Sequence, residues 1–129
     1  MADDRPLVKN TTDPRQVKLA ARKDRDAREL ELEALRQVLA MPVGRLVLWR
    51  ILEQCRTFGS VWDTNGSRIH YNAGQQDIGH FLMAEIGAAD EDALFQMMQE
   101  ARARKLKAQA EAEALRTAKA DTGDTDGSD

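Results

Sequence analysis

Cysteine is almost absent from this sequence of 129 residues, which contains only Cys55. A lone cysteine excludes an internal disulfide framework and a zinc site built from several thiolates. Long apolar runs are also missing: runs such as Leu46 to Trp49 contain only four residues, whereas a membrane-spanning helix needs about 20 apolar residues. The first residues lack the basic and apolar regions of a secretory signal. We therefore expect a protein that is not secreted and has no membrane partner.

Aromatic residues are scarce, at 5% of the sequence, while 42% is hydrophobic and 32% is charged. A chain of this length and composition supports one modest core, so two packed domains are not expected. All the aromatic residues lie between Trp49 and Phe95. The material for a core is thus concentrated in the middle, and the sequence places the compact unit at about residues 41–101.

The net charge of −3 is distributed in blocks. Residues 1–28 hold eight basic and five acidic side chains, and residues 101–119 hold six and two. Residues 43–100 hold four basic and eight acidic side chains, and residues 121–129 add four aspartates without a basic residue. Both flanks of the compact unit are therefore basic, whereas the unit itself and the end of the sequence are acidic.

Helix signals divide the chain. Asp13 followed by Pro14 is typical of a capped helix start, and Pro42 ends that helix at about Met41. The sequence predicts an all-α protein, with a compact core of two to three helices flanked by long N- and C-terminal helical arms. The predicted segments are a disordered N-terminus at 1–13, a long charged helix at 14–41, a compact helical domain at 42–101, an Ala-rich charged helical extension at 102–119 and an acidic flexible tail at 120–129.

Apolar residues at helical spacing predict the core. Gly74 lies within the stripe of the third predicted helix, which favours a close approach by a bulky neighbour, and Glu85 in the same stripe requires an arginine or a cap as a partner. Gly87 is expected to end that helix, and Asp90 to cap the next. The predicted core consists of Val47, Leu48, Ile51, Leu52, Cys55, Phe58, Tyr71, Gly74, Ile78, Phe81 and Leu82.

The opposite face of the helix after Pro42 predicts an interface. Leu46 and Trp49 lie there among charged residues, so either the N-terminal helix or another chain has to cover the indole. Small residues along the last helix favour a second packing seam, and Trp62 is expected to cover the core as a lid. The candidate partner-interface residues are Leu46, Trp49, Arg45, Arg50, Met97, Met98 and Leu115.

The residues that usually carry chemistry are few. His70 and His80 are the only histidines, and about 15 Å of helix would separate them, so they do not form a shared metal site. Cys55 has no evident base nearby, and no glycine-rich phosphate loop follows a strand. The sequence therefore nominates no catalytic residue, no metal ligand and no cofactor, and it predicts that the protein is not an enzyme.

Two basic stretches are candidates for contact with nucleic acid. Acidic residues are interleaved at Asp24, Asp26 and Glu29, and no aromatic residue lies among the basic side chains. This pattern favours a solvated helix surface over a DNA-binding face. The candidate contacts are Lys18, Arg22, Lys23, Arg25, Arg102, Arg104, Lys105 and Lys107.

Several short motifs mark the middle of the chain: the pairs Gly44-Arg45, Leu48-Trp49 and Ile78-Gly79, the pattern Asn72-Ala73-Gly74 and the closing Met97-Met98-Gln99-Glu100. In these motifs the chain resembles a small helical domain family of short-tailed bacteriophages. The family is typically encoded in the head-morphogenesis cluster, near portal and capsid genes. The resemblance implies a virion location, in the head interior or at the portal vertex, after assembly in the host cytoplasm.

Together these observations predict a non-enzymatic virion structural or assembly protein, associated with portal or other head proteins and self-associating in several copies. An internal protein ejected with the genome, or a scaffold that leaves before maturation, is the alternative within the virion. A nucleic-acid-binding accessory factor that uses the basic arms is the alternative from another class.

Overall fold

Residues 13–124, which the computed structural model describes, form four α-helices: α1 (Pro14–Leu39), α2 (Pro42–Gln54), α3 (Gly66–Ala89) and α4 (Ala93–Asp124). No strand occurs in this part of the chain. The prediction of an all-α fold is confirmed. The predicted disordered segment at 1–13 lies outside the described residues except for Asp13.

Helix α1 begins where the sequence indicates. The Asp13 carboxylate accepts a hydrogen bond from the backbone N–H of Arg15 at 3.0 Å, and Pro14 occupies the first turn. The helix ends at Leu39, two turn residues before Pro42 begins α2. Val17 and Leu30 on α1 are more than half exposed.

The core is shared by all four helices. Its buried residues are Leu39, Leu52, Ile86, Ala89, Ala93 and Met97. Leu32 and Leu35 pack against this cluster from α1, so the last turns of that helix form part of the core although they precede residue 41. Leu48 and Leu82, two predicted core residues, are half-buried against it.

The buried face of α2 differs from the predicted one. Leu52 is fully buried, as predicted, but Val47 is 57% and Ile51 43% exposed. Phe58, beyond the helix end, is also exposed, and Cys55 is half-buried. The core prediction for Val47, Ile51 and Phe58 is wrong because α2 is short and apolar on several sides, so periodicity cannot rank its faces.

Close contact with α1 fixes which side of α2 turns inward. Gly44 is buried, and a Cβ added there would overlap the backbone oxygen of Val38. Arg45, the next residue, is also buried and donates from Nη1 to the Leu39 carbonyl oxygen at 2.9 Å. The absence of a side chain at Gly44 and the hydrogen bonds of Arg45 thus orient the helix.

Helix α3 exposes the stripe that was predicted to be core. Tyr71, Ile78 and Phe81 are 66%, 62% and 65% exposed. Gly74 lies on the same open face, with no atom within 4 Å of a Cβ built there, so the predicted close approach at this glycine is wrong. These corrections have one cause: the residues of α3 that face the rest of the fold include polar and small ones, which an apolar pattern does not detect.

The inward face of α3 packs through Asn72, Gly79 and Ile86. The Asn72 amide donates to the Val61 carbonyl oxygen at 3.2 Å. Gly79 is the true close approach, because an added Cβ would overlap Oγ1 of the buried Thr57. A glycine at this position lets α3 lie directly on the turn that follows α2.

That turn ends α2 in a Schellman-type arrangement. Arg56 has φ of 55°, the left-handed region, and its N–H donates to the Glu53 carbonyl at 3.0 Å. The N–H of Thr57 donates to the Leu52 carbonyl at 3.3 Å, and the Thr57 hydroxyl donates to the same oxygen at 2.6 Å. These bonds satisfy the last carbonyls of the helix and bury Thr57 under Gly79.

The remaining connections differ from the prediction at Trp62 and Gly87 and agree with it at Asp90. Trp62 is 71% exposed and does not cover the core. Gly87 lies inside α3, which continues to Ala89, so it does not end the helix. Asp90 accepts a hydrogen bond from the backbone of Asp92 at 3.0 Å just before α4 begins. Local sequence signals identified the loops but not the residue at which each helix ends.

Helix α4 is the longest element, with 32 residues. Residues 102–123 are all exposed, so its outer part extends beyond the core. The predicted tail at 120–129 starts inside this helix, which continues to Asp124. Residues 125–129 lie outside the described part of the chain.

Candidate functional site: a groove between α2 and α4

A groove of about 380 Å³ lies between α2 and α4. Its walls are Leu46, Trp49, Arg50 and Glu53 from α2, and Ala101, Arg104 and Lys105 from α4. The α2 residues follow the spacing of one helix face, and Ala101 leaves room between the two helices. Leu46, Trp49 and Arg50 come from the predicted partner interface. Arg104 and Lys105 come from the predicted nucleic-acid contacts, so the groove brings residues of both sets together.

Trp49 forms the aromatic wall of the groove. Its ring stacks on Phe58 with centroids 5.4 Å apart, and its Nε1 donates to Glu53 Oε1 at 2.7 Å. The indole is half-buried and packs against the core, so its own chain covers one side and the groove leaves the other accessible. Its orientation is therefore fixed before any partner binds.

The groove is positively charged. Arg50, Arg104 and Lys105 are exposed, and within residues 13–124 none of them forms an ion pair. Glu53 is the only acidic residue of the walls, and its carboxylate already accepts the Trp49 hydrogen bond. Three unpaired cations beside an indole favour a ligand that carries carboxylate or phosphate groups.

An ion pair at the edge of the groove holds its two helices together. Arg45 Nε on α2 donates to Glu100 Oε1 on α4 at 2.8 Å, and the Arg45 side chain is only 10% exposed. Met97, one turn before Glu100, is 1% exposed. The interface prediction for Arg45 and Met97 is therefore wrong, because both side chains are used inside the fold.

Two rows of exposed apolar side chains form further surfaces. We call Val43, Val47 and Ile51 the α2 stripe and Tyr71, Ile78 and Phe81 the α3 stripe. Within each stripe the residues lie within about 80° of one another around the helix, at 100° per residue. Met98 and Leu115, the other interface candidates, are 46% and 66% exposed on α4 but do not line the groove.

The basic candidates are all exposed, but the fold gathers only some of them. Arg104 and Lys105 line the groove, and Arg102 and Lys107 flank them on α4 without lining it. The α1 set, at Lys18, Arg22, Lys23 and Arg25, lies in the exposed N-terminal half of that helix.

A separate cluster of charges joins α1 to α3. Arg28 binds Glu85 through both terminal nitrogens, at 2.5 and 2.9 Å. These hydrogen bonds lower the pKa of Glu85 and raise that of Arg28. Of the two expected partners of Glu85, an arginine or a cap, the structure has the arginine, and sequence order alone does not identify it as Arg28.

Arg36 makes the second link of this cluster. Its Nε donates to the Ala89 carbonyl oxygen at 2.9 Å, which caps the end of α3. Hydrogen bonds from its Nη1 to Glu29 and Glu33 raise the pKa of Arg36. Because these contacts follow the same order along both helices, α1 and α3 run in the same direction where they meet.

The titratable residues considered for catalysis do not lie in the groove. His70 and His80 are exposed at separate positions on α3, and Cys55 is half-buried at the end of α2. Within residues 13–124 no group of three histidine, cysteine or acidic side chains is placed to hold a metal ion. Across the same residues, no helix is both long and apolar enough to span a membrane.

The sequence profile described as Bbp19-like phage protein matches residues 35–100. The chain belongs to this family. The match confirms the resemblance to a phage protein family. No curated protein matches the chain, and no solved structure matches it.

The matched segment of the Bbp19-like phage proteins coincides with the packed part of the fold. It begins in the last turns of α1, close to Leu39, and ends at Glu100, the partner of Arg45. The α2 wall of the groove lies inside the segment, whereas the α4 wall at Ala101, Arg104 and Lys105 follows it. The groove therefore combines a wall inside the matched segment with one contributed by the extension of α4.

Sequence reasoning missed Glu53 and Ala101 as groove residues. The spacing of four between Trp49 and Glu53 was available as a signal for their hydrogen bond, since such residues are neighbours on a helix. The pairing of α2 with Ala101 has no signal in the sequence, because it depends on how two distant helices pack.

Proposed function

We propose that this Bbp19-like phage protein is a non-enzymatic structural or assembly component of the phage particle, bound in several copies to head proteins at the portal vertex. The observation that carries the proposal is the exposure of the α2 and α3 stripes. Each residue of these two stripes is at least 43% exposed although it is large and apolar. Apolar rows of this kind mark surfaces that bind other proteins.

The stripes contribute apolar area to a contact with another protein. Fully burying one large apolar side chain contributes about 1.5 to 3 kcal/mol. Binding also has to offset the loss of translational and rotational freedom, so several such side chains are required. The two stripes offer six such side chains, each of which is still at least 43% exposed.

The composition of purified particles tests this function. Quantitative mass spectrometry of mature particles is expected to find the protein in a fixed copy number relative to the portal. Particles that have ejected their DNA serve as the comparison, because a structural component remains and an internal ejected protein is lost. Presence in immature heads with absence from mature particles identifies a scaffold, and absence from both contradicts any role in the particle.

A nucleic-acid-binding role is the second candidate function. It is supported by the exposed cations at Lys18, Arg22, Lys23 and Arg25 on α1, which make no ion pairs within residues 13–124. DNA binding that depends on such cations weakens steeply with salt, since each neutralised phosphate adds to the slope of log affinity against log salt. Titration of labelled duplex DNA between about 50 and 200 mM salt measures that slope. A signal that is absent or insensitive to salt excludes this candidate.

A further inference from the structure

The groove between α2 and α4 has an electrostatic complement in the same sequence. Residues 121–129 contain four aspartates and no basic residue. The residues between these aspartates are threonine, glycine and serine, so no large side chain hinders their approach to a partner. The groove offers Arg50, Arg104 and Lys105 without ion-pair partners in the described part of the chain. Opposite charge and small side chains make the acidic segment a suitable occupant of the groove.

The acidic segment of one molecule cannot occupy that molecule's own groove. Helix α4 is continuous from Ala93 to Asp124, so Lys105 and Asp124 are separated by about 28 Å at 1.5 Å per residue. Residues 125–129, fully extended back along the helix, reach at most about 17 Å. The outer half of α4 therefore carries the acidic segment away from the groove of its own chain.

A second copy removes this restriction. We propose that the groove binds the acidic segment Asp121–Asp129 of a second copy of this chain, with the two α4 helices antiparallel. Each molecule then offers one groove and one acidic segment, so both contacts form in a single twofold-symmetric pair. Forming the first contact raises the effective concentration for the second, which strengthens the pair. This inference rests on the proposed function in one respect, the self-association of the chain. It identifies the groove and the acidic segment as the surfaces through which the copies bind.

The groove is better suited to this segment than to a DNA duplex. Arg50, Arg104 and Lys105, which form no ion pair within residues 13–124, line a space of about 380 Å³ beside Trp49. A duplex instead presents phosphates along an extended, convex backbone and is contacted by cations spread over a surface. The carboxylates of the segment are suited to accept hydrogen bonds from the two arginines and the lysine.

Charge reversal of the full chain tests the proposal. The groove variant Arg104→Glu/Lys105→Glu and the tail variant, in which Asp121, Asp124, Asp126 and Asp129 are changed to Lys, each place like charges at both contacts. Sedimentation velocity at about 50 mM salt is expected to show weakening of self-association by about tenfold or more in either variant. An equimolar mixture is expected to restore association, because every contact between the two variants joins opposite charges.

The matched control is Arg102→Glu/Lys107→Glu, which changes the net charge as much as the groove variant does. Both residues are exposed on α4 and neither lines the groove, so this control is expected to associate as the unmodified chain does. In a Trp62→Phe background Trp49 is the only tryptophan, and association is expected to reduce its quenching by iodide.

Several results overturn the proposal. The first is an unmodified chain that remains monomeric at all concentrations. The second is an equal loss of association in the groove variant and in its control. The third is an equimolar mixture of the groove and tail variants that does not restore association. Loss of DNA binding in the groove variant, with the oligomeric state unchanged, identifies the groove as a nucleic-acid site and also overturns it. The proposed function is tested by a different measurement, the protein composition of purified particles. Its failure can therefore be distinguished from a failure of this proposal, which is tested by the association of the purified chain.

Discussion

Arg45 lies 2.8 Å from Glu100 and holds α2 against α4 across a separation of 55 residues in the sequence. The same guanidinium donates to the Leu39 carbonyl oxygen at the end of α1. One buried side chain thus connects three helices, and the walls of the groove depend on their relative position. The charged pair at the edge of the groove is consequently a structural element of the site.

Replacement of this arginine tests its structural role. Arg45→Met is expected to lower the free energy of unfolding by about 2 to 3 kcal/mol, because Glu100 loses its partner and the Leu39 carbonyl loses a donor. Urea unfolding followed by circular dichroism at pH 7 measures the change. The control is Arg116→Met. Arg116 forms an ion pair with Glu113 on the surface, where the two side chains are 80% and 73% exposed, so its loss is expected to change the free energy of unfolding by less than about 0.5 kcal/mol. Equal effects of the two substitutions contradict the assignment.

Gly74 and Gly79, two of the glycines of α3, are expected to respond in opposite directions to alanine. Gly79→Ala forces the new Cβ into Thr57 and is expected to destabilise the protein by about 1 to 3 kcal/mol. Gly74→Ala adds a methyl group in open space and is expected to stabilise it by about 0.5 to 1 kcal/mol, because alanine favours the helix. Thermal and urea unfolding of both variants measure these changes. A stabilising Gly79→Ala substitution is incompatible with the packing described above.

The ion pair between Arg28 and Glu85 predicts a pH dependence of stability. Because the pKa of Glu85 is lowered from its ordinary value of 4.5, its contribution is complete above that pH and is lost as the pH falls through the lowered value. Glu85→Gln is therefore expected to be less stable than the unmodified chain at pH 7, and this difference should shrink below about pH 4.5. Unfolding midpoints from pH 2.5 to 7 measure the difference. A difference that is constant over this range is evidence against the ion pair.

The α3 stripe is expected to affect particle assembly without affecting folding. Ile78→Gln/Phe81→Gln changes side chains that are more than 60% exposed, so the free energy of unfolding should change by less than about 0.5 kcal/mol per site. Incorporation into particles, measured by mass spectrometry, is expected to fall because the apolar contact is lost. Leu30→Gln on α1, where the leucine is 73% exposed, provides a control outside both stripes. Normal incorporation of the double variant excludes the α3 stripe as the binding surface.

Local chemistry in the sequence was sufficient to predict the class of fold and several helix boundaries. Asp13 and Pro14 start α1, and Pro42 separates α1 from α2, because capping and the loss of a proline donor act within a few residues. The sequence also indicated that Glu85 requires an arginine or a cap, since it lies within an apolar stripe.

Only the tertiary structure decided which helix faces are buried. Helix α2 is apolar on several sides, and α3 faces the fold partly through Asn72 and Gly79, so hydrophobic periodicity selected residues that remain exposed. The groove likewise depends on the pairing of Trp49 with Arg104 and Lys105, which are distant in sequence. Capping and helix breaking act between near neighbours and can be predicted from residue order, whereas face burial depends on which distant helices fit together at small residues.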